Sequence, residues 1–378
     1  MTATEPDHRA ADPSRKIRIA IAGVGNCASA LLQGIEHYRK LPLQAQEAWG
    51  LMHLDMGGYL PGDIEVVAAF DVDRRKVGRP LHEAAFAPPN CSRVIRDAIE
   101  PSPVILQMGP VHDGVAPHMR DYPEDRAFRV ADEPPVDVER VLVDSEADML
   151  VCYVPVGSNK ATQAYAEACL ATGVSLVNCI PVFIASDPGW GERFRTAGIP
   201  CAGDDIKSQV GATILHRMLA RLFADRGVKI ERSYQLNTGG NTDFLNMLSR
   251  ERLASKKISK TEAVTSQIPY DIGEDNIHVS PSDYVPWQQD NKVCFIRMEG
   301  SGFGGAPIEF EGRLSVHDSP NSGGIVVDVI RYVKIARDRG LSGPLLPISA
   351  YAMKHPPVQM RDVMAARRIE EFLADGSS

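Results

Sequence analysis

The chain has 378 residues, of which 44% are hydrophobic and 24% charged, with a formal net charge of -8. That length exceeds one ordinary domain of ~100–200 residues and is enough to bury more than one core. The acidic balance argues against a general nucleic-acid surface while leaving room for local basic pockets, such as one built from Lys256, Lys257 and Lys260.

No stretch approaches the ~20 apolar residues of a membrane helix, and the N-terminal MTATEPDHRAADPSRK has no apolar signal core; residues 1–15 read as a disordered tail. The cysteines Cys27, Cys91, Cys152, Cys169, Cys179, Cys201 and Cys294 are scattered, lie mostly in apolar stretches and form no CxxC pair. They read as reduced core residues of a cytoplasmic protein.

In KIRIAIAGVGNCASALLQGIEHY, residues 16–23 form a short apolar run bounded by glycine, the pattern of a buried parallel strand. Ala28, Leu31, Ile35 and Tyr38 then recur at helical spacing, so strand, glycine turn and helix follow directly. A second strand, IEVVAAFDV (64–72), carries Asp71 near its end. The long segment between the two closes with HLDMGGYLPGD and reads as a lid or an oligomer contact. Further strands are expected at 147–156 and 173–182, separated by a helix over NKATQAYAEACLATG with Ser158 as its N-cap. This alternation predicts an α/β fold with a Rossmann-like, doubly wound parallel sheet.

The pattern changes near residue 200. A helix over 208–225, the strand VKIERSYQLN, a helical LNMLSRERLASKK and the strands KVCFIRMEG and IEFEGRLSVHD predict a second, α+β domain with an open sheet. NSGGIVVDVIRYVKIARDRG then reads as a helix closed by Gly340. The expected division is a tail at 1–15, a dinucleotide-binding domain at 16–200, a second domain at 201–318, and a segment at 319–378 returning to the first domain.

In GVGNCAS, Gly23 would make the tight turn and Gly25 would let the backbone approach a pyrophosphate, while the helix start at Asn26, Cys27 and Ala28 supplies free amides. The third glycine of the common fingerprint is absent, and Asp71 lies well beyond its ~20-residue spacing. Asp71 still ends an apolar strand, where a carboxylate could bind the adenosine ribose and disfavour a 2′-phosphate. Val156, Gly157 and Asn178, at the ends of later strands, fall where the cofactor crevice should be. The competing reading is a glycine turn serving another nucleotide or none.

The middle of the chain is rich in polar candidates. GDDIKSQVGAT places Asp204, Asp205, Lys207 and Ser208 at a helix start, where free amides could hold a phosphate; helix capping by an aspartate is the alternative. LNTGGNTDFLN gathers Asn237, Asn241 and Asp243 in a loop suited to sugar hydroxyls, with capping by Asp243 as the competitor. SKKISK puts Lys256 and Lys260 one helical turn apart, with Lys257 turned away. Two crowded ammonium groups depress each other's pKa and can hold an anion or donate to an enolate oxygen; an ordinary solvated face is the alternative. Lys292 begins a strand, Asp318 ends one, and Lys354 precedes a proline turn. The ten histidines show no ligand spacing, so no metal site is expected.

GVGNCAS, NCIPVFIASDP, GDDIKSQVGAT, QLNTGGNTDFLN, SKKISK, HDSPNSGG and YAMKHPP, in this order, resemble the myo-inositol-1-phosphate synthase family in its short bacterial form, over residues 16–370. The resemblance implies an isomerase that turns D-glucose 6-phosphate into 1L-myo-inositol 1-phosphate with tightly held, recycled NAD. C5 is oxidised, a C6 proton is removed, the enolate closes on the C1 aldehyde, and C5 is reduced again. It further implies a homotetramer and leaves open an assisting cation. By the same resemblance Asp205, Asn237, Asp243, Lys256, Lys260, Lys292, Asp318 and Lys354 belong to the active site. Lys256 and Lys354 would polarise or transfer protons, Lys260 and Lys292 would meet phosphate, and Asp205 and Asp318 would orient the lysines. The chain departs from longer eukaryotic members at Gln209 and Val210, where those have a glycine-containing turn.

Two other readings compete: an NAD-dependent dehydrogenase or cyclase of a related sugar or polyol phosphate, and an NAD-binding regulator without turnover. Simple hydride transfer needs only one acid/base, which leaves the lysine set unexplained by the first.

Overall fold

The computed structural model describes residues 15–41, 48–96 and 98–375. The expected N-terminal tail, apart from Arg15, lies outside the described residues. In chain order the strands are β1 (Ile17–Ala22), β2 (Ile64–Asp71), β3 (Gln107–Met108), β4 (Met149–Cys152), β5 (Ser175–Asn178), β6 (Pro200–Ala202), β7 (Lys229–Gly239), β8 (Ile277–Tyr284), β9 (Asn291–Ser301), β10 (Pro307–His317) and β11 (Gly343–Pro344). The helices are α1 (Asn26–Lys40), α2 (Leu81–Ala84), α3 (Val138–Asp144), α4 (Asn159–Thr172), α5 (Pro188–Thr196), α6 (Ala212–Asp225), α7 (Thr242–Asn246), α8 (Ala254–Thr265), α9 (Asp318–Asp338), α10 (Leu346–Ala352) and α11 (Asp362–Ala374).

The first sheet has the order β11-β6-β5-β4-β1-β2-β3, with every neighbouring pair parallel. This is the doubly wound architecture expected from the strand–helix alternation, and its order reverses between β1 and β4. Ile17, Ile19 and Ile21 are fully buried and share a core with Leu31 and Ile35 of α1. Two strands are shorter than expected, covering Met149–Cys152 rather than 147–156 and Ser175–Asn178 rather than 173–182. Pro155 and Pro181 cannot donate to a ladder, so the chain leaves the sheet there. Residues 153–156 and 179–181 consequently face the crevice above the strand ends.

Ser158 does occupy the N-cap position of α4, but its hydroxyl donates to Pro155 O at 2.5 Å. Asp113 supplies the cap instead, accepting from the amides of Lys160 and Ala161 at 3.0 and 3.1 Å. The helix expected from 208 starts only at Ala212, because Gln209 and Val210 are tied to Asn321. The expected helical LNMLSRERLASKK divides between α7 and α8, with a short 3-10 turn before α8.

The second sheet is ordered β10-β9-β7-β8, antiparallel except for the β7/β8 pair. One face packs Ile230, Val279, Ile296 and Met298 with Ala212, Ala220 and Val264 of α6 and α8. The other exposes Leu236 and Phe295. Helix α9 leaves this sheet and runs back along the first: Ile325, Val326, Val329, Ile330 and Val333 join the core of β1 and α1. Gly340, at φ +68, takes the left-handed conformation that ends the helix.

The segment before β2 docks on α9, with Arg331 donating to His53 O and Leu54 O at 2.8 Å and Met52 N donating to Asp328 at 2.8 Å. Among the described residues no helix is long and apolar enough to cross a membrane.

Candidate active site

A cleft lies at the carboxyl ends of β1 and β4 and extends beneath the second sheet; it holds about 220 Å³ of water-accessible space and opens to solvent. Its lining runs from the glycine turn after β1 to the lysines of α8 and β9.

Gly23, Gly25, Asn26, Cys27, Asp71 and Val156 line one side of this cavity. Gly23 sits at φ +91, and a Cβ there would lie 2.8 Å from Tyr153 O, whereas one on Gly25 would meet nothing within 4 Å. The first residue requires glycine for the turn; the second leaves open space above the start of α1. Asp71 accepts from Val24 N at 2.7 Å through Oδ2 and from Val72 N and Asp73 N through Oδ1. It therefore braces the glycine turn as well as facing the cavity.

Asp205, Ser208, Asn241, Asp243, Lys256, Lys260, Lys292, Asp318 and Lys354 line the other side. Asp205, at φ +65, is fully buried and its backbone is fixed by Ile180 O and Lys354 N. Its Oδ1 accepts from Lys256 Nζ at 2.9 Å and from Lys354 Nζ at 3.0 Å, and its Oδ2 from Ser259 Oγ at 2.5 Å. Lys292 Nζ lies 3.2 Å from Asp318 Oδ1, and Lys260 Nζ lies 3.5 Å from Ser282 Oγ.

These charges set one another's ionisation. Burial alone would raise the Asp205 and Asp318 carboxyls, but Lys256 and Lys354 hold Asp205, and Lys292 and its neighbours hold Asp318, below the usual range. Burial together with Lys256, Lys292 and Lys354 pushes Lys260 well down. Lys354 falls to about 8, through burial and the nearby lysines, despite Asp205. Lys256 departs from the expected mutual depression. Burial opposes its charge, yet Asp205 and Asp243 lift it above its ordinary value. Lys257 is exposed, turned away as its spacing requires.

Several residues singled out in the sequence do not reach the cavity. Ala28 is fully buried in the α1 core, and the space beside Gly157 is filled by Arg252. Asn178 is committed to Val182 O and Asp204 at 2.6 and 2.7 Å. Asn237 is buried and accepts from Gln235 at 3.2 Å. Lys207 turns the other way, donating to Ala350 O, Tyr351 O and Asp362. Asp204 does not cap a helix: its carboxylate gathers the amides of Ile184, Ala185 and Ser186.

Others went unread. Ser259 is one residue from Lys260 and stood in the SKKISK motif, where its spacing to Lys256 was visible. Asp290, held by Asn241 and Ser319 at 2.9 and 2.7 Å and pushed to about 6 by burial, carried no local signal.

The family description myo-inositol-1-phosphate synthase matches residues 211–319. Over 364 residues the chain is 50% identical to an inositol-3-phosphate synthase of Mycobacterium tuberculosis (strain CDC 1551 / Oshkosh), spanning 96% of this chain and 97% of the relative. An inositol-3-phosphate synthase of Corynebacterium glutamicum is likewise 50% identical, over 95% of this chain and 98% of its own. A solved myo-inositol-1-phosphate synthase-related protein from Thermotoga maritima superposes with a TM-score of 0.78 at 26% identity, covering 95% of this chain and 98% of that one.

Proposed function

The chain belongs to the myo-inositol-1-phosphate synthase family, and from that premise we propose that it converts D-glucose 6-phosphate to 1L-myo-inositol 1-phosphate as an NAD-dependent isomerase. The observation that carries this reading is the set of four lysines, Lys256, Lys260, Lys292 and Lys354, gathered with Asp205 and Asp318 in the same cleft as the glycine turn of residues 23–25.

The cofactor half fits NAD. Gly23 permits the turn, open space lies above Gly25, the first turn of α1 offers amides, and Asp71 stands at the end of β2. NAD bound there supplies the reversible oxidation and reduction at C5. The rest of the work falls to side chains.

Lys256, held cationic by Asp205, is suited to stabilise negative charge developing on the sugar's oxygens, the role an electrophilic metal fills in other aldol chemistry. Lys354, with a pKa near 8, can exchange a proton near neutral pH and is aimed by the same carboxylate. Lys260 and Lys292 suit the phosphate. Burial, and after it the nearby Lys256, Lys292 and Lys354, push Lys260 down, and a dianion would offset that loss of charge. Asp243 and Ser208, which line the cavity, would meet sugar hydroxyls and phosphate oxygens; Asn241 caps α7 through its Oδ1 and donates to Asp290, so it would act mainly by holding Asp243 in place.

We further divide the chain into a dinucleotide-binding unit at 16–200, a catalytic and tetramerisation unit at 201–318 and a returning segment at 319–378. The exposed Leu236 and Phe295 on the open face of the second sheet support assembly through that sheet. We place the protein in the cytoplasm, in keeping with its seven free cysteines.

The test is to incubate the protein with D-glucose 6-phosphate and NAD and follow products by NMR alongside NADH absorbance. Inositol phosphate without accumulating NADH is expected; stoichiometric NADH would make the protein a dehydrogenase instead.

A further inference from the structure

The cofactor half of the cavity contains a buried cation that belongs to no motif. Lys76 follows β2 in the run DVDRRK, is 3% exposed, and lines the cavity beside the glycine turn. Its Nζ donates to Val24 O at 2.7 Å and to Asn90 Oδ1 at 2.9 Å. Asn90 Nδ2 donates to the same Val24 carbonyl at 3.1 Å. The Val24 amide donates to Asp71 Oδ2 at 2.7 Å, and that oxygen lies 3.9 Å from Lys76 Nζ. Both backbone polar groups of the residue between Gly23 and Gly25 are thus gripped by side chains that also contact one another.

This arrangement has two physical consequences. A turn whose carbonyl is committed to a cation and an amide presents its remaining N–H groups, rather than lone pairs, to an anion above Gly25. A turn already fixed in this way loses less conformational freedom when a ligand arrives. Lys76 is also under-neutralised. Burial pushes its ammonium down, its ion pair with Asp71 is a long one at 3.9 Å, and Asp73 is taken by Arg75 at 2.6 Å. A lysine has three N–H donors, and Val24 and Asn90 use two. A buried cation beside a cavity, with two short hydrogen bonds to neutral oxygens and one long ion pair, is suited to a neighbouring anion.

We propose that Lys76 is a positioning residue for the cofactor: with Asp71 and Asn90 it pre-forms the Gly23–Gly25 turn for the pyrophosphate of NAD, and its ammonium offsets part of the pyrophosphate charge. The proposal rests on the NAD reading above.

The experiment compares wild type, Lys76→Met and the milder Asn90→Ser, all freed of nucleotide, by calorimetric titration with NAD and, separately, with adenosine, which lacks the pyrophosphate. Lys76→Met is expected to weaken NAD by ~10–100-fold, the effect of removing a charged hydrogen-bonding partner, and Asn90→Ser to weaken it less, with adenosine binding unchanged in both. The KM for NAD should rise in parallel, while kcat at saturating NAD and the KM for glucose 6-phosphate stay within ~3-fold of wild type. Unchanged NAD affinity in both variants would overturn the proposal. So would an equal loss of adenosine and NAD binding with a lowered melting temperature, which would make Lys76 a purely structural lysine. Failure of the wild type to bind NAD would contradict the cofactor assignment itself.

Discussion

Lys256 and Lys354, carried by α8 and by the segment after α10, donate to the same oxygen of Asp205, at 2.9 and 3.0 Å. One carboxylate thereby aims two cations at a common point, yet leaves them with different proton affinities. Lys256 has further acidic neighbours in Asp243 and Asp318, whereas Lys354 answers to burial and to Lys256 and Lys292.

The pH dependence of turnover should report that difference. Lys354 acts as an acid only while protonated, and its ammonium is held to about 8, so kcat should decline as pH rises through that value. Asp205→Asn removes the charge that raises Lys354 and should move the decline to lower pH. A profile of kcat against pH for both proteins checks this. A decline that stays in place, or moves upward, would detach Lys354 from Asp205.

Lys256→Ala should lower kcat by at least ~10²–10³-fold, the scale of losing a preorganised oxyanion donor, while leaving NAD binding and assembly intact. Lys257→Ala, one residue along on the exposed face, should stay within ~2-fold of wild type, as is usual for a surface change. Calorimetry with NAD, light scattering and steady-state rates together check the pair; comparable losses at both positions would mean that helix face does not matter.

The two glycines of the turn should fail differently. An alanine at Gly23 would need φ +91 and would press its Cβ to 2.8 Å from Tyr153 O, so Gly23→Ala should destabilise the fold by ~2 kcal/mol or more. Gly25→Ala meets nothing within 4 Å; its stability should change by less than ~0.5 kcal/mol while NAD binding weakens. Thermal melts set beside NAD titrations distinguish the two.

Lys207 gives a stability prediction with a definite sign. Burial and Arg217 lower its ammonium to about 7, outweighing Asp362. An unfolded lysine keeps its proton to about pH 10, so between those values the unfolded chain binds more protons than the native one and stability rises with pH. Wild type should therefore gain melting temperature relative to Lys207→Met from about pH 6 to about pH 9. A difference independent of pH would show that Lys207 keeps an ordinary proton affinity.

Periodic features of the chain were legible. The Rossmann-like order follows from apolar strands alternating with helices, and the opposed faces of Lys256 and Lys257 follow from helical spacing. Contacts distant in sequence were not. Asp113 caps α4 from a loop well upstream, and Asn178 turns inward because Asp204 needs it. Lys207 has the same local setting as Asp205, yet its side chain answers to α10 and α11. Neither Lys76 nor Asp290 sits in a motif; each takes its meaning from partners that only folding supplies.

The closed redox cycle is tested most directly with D-glucose 6-phosphate deuterated at C5, in the presence of NAD, with the product examined by NMR. If oxidation and reduction occur in turn on one substrate held in one cavity, the deuterium taken from C5 returns to the same carbon and the inositol phosphate keeps its label. Deuterium accumulating in free NADH, or inositol phosphate carrying protium at that position, would contradict the cycle.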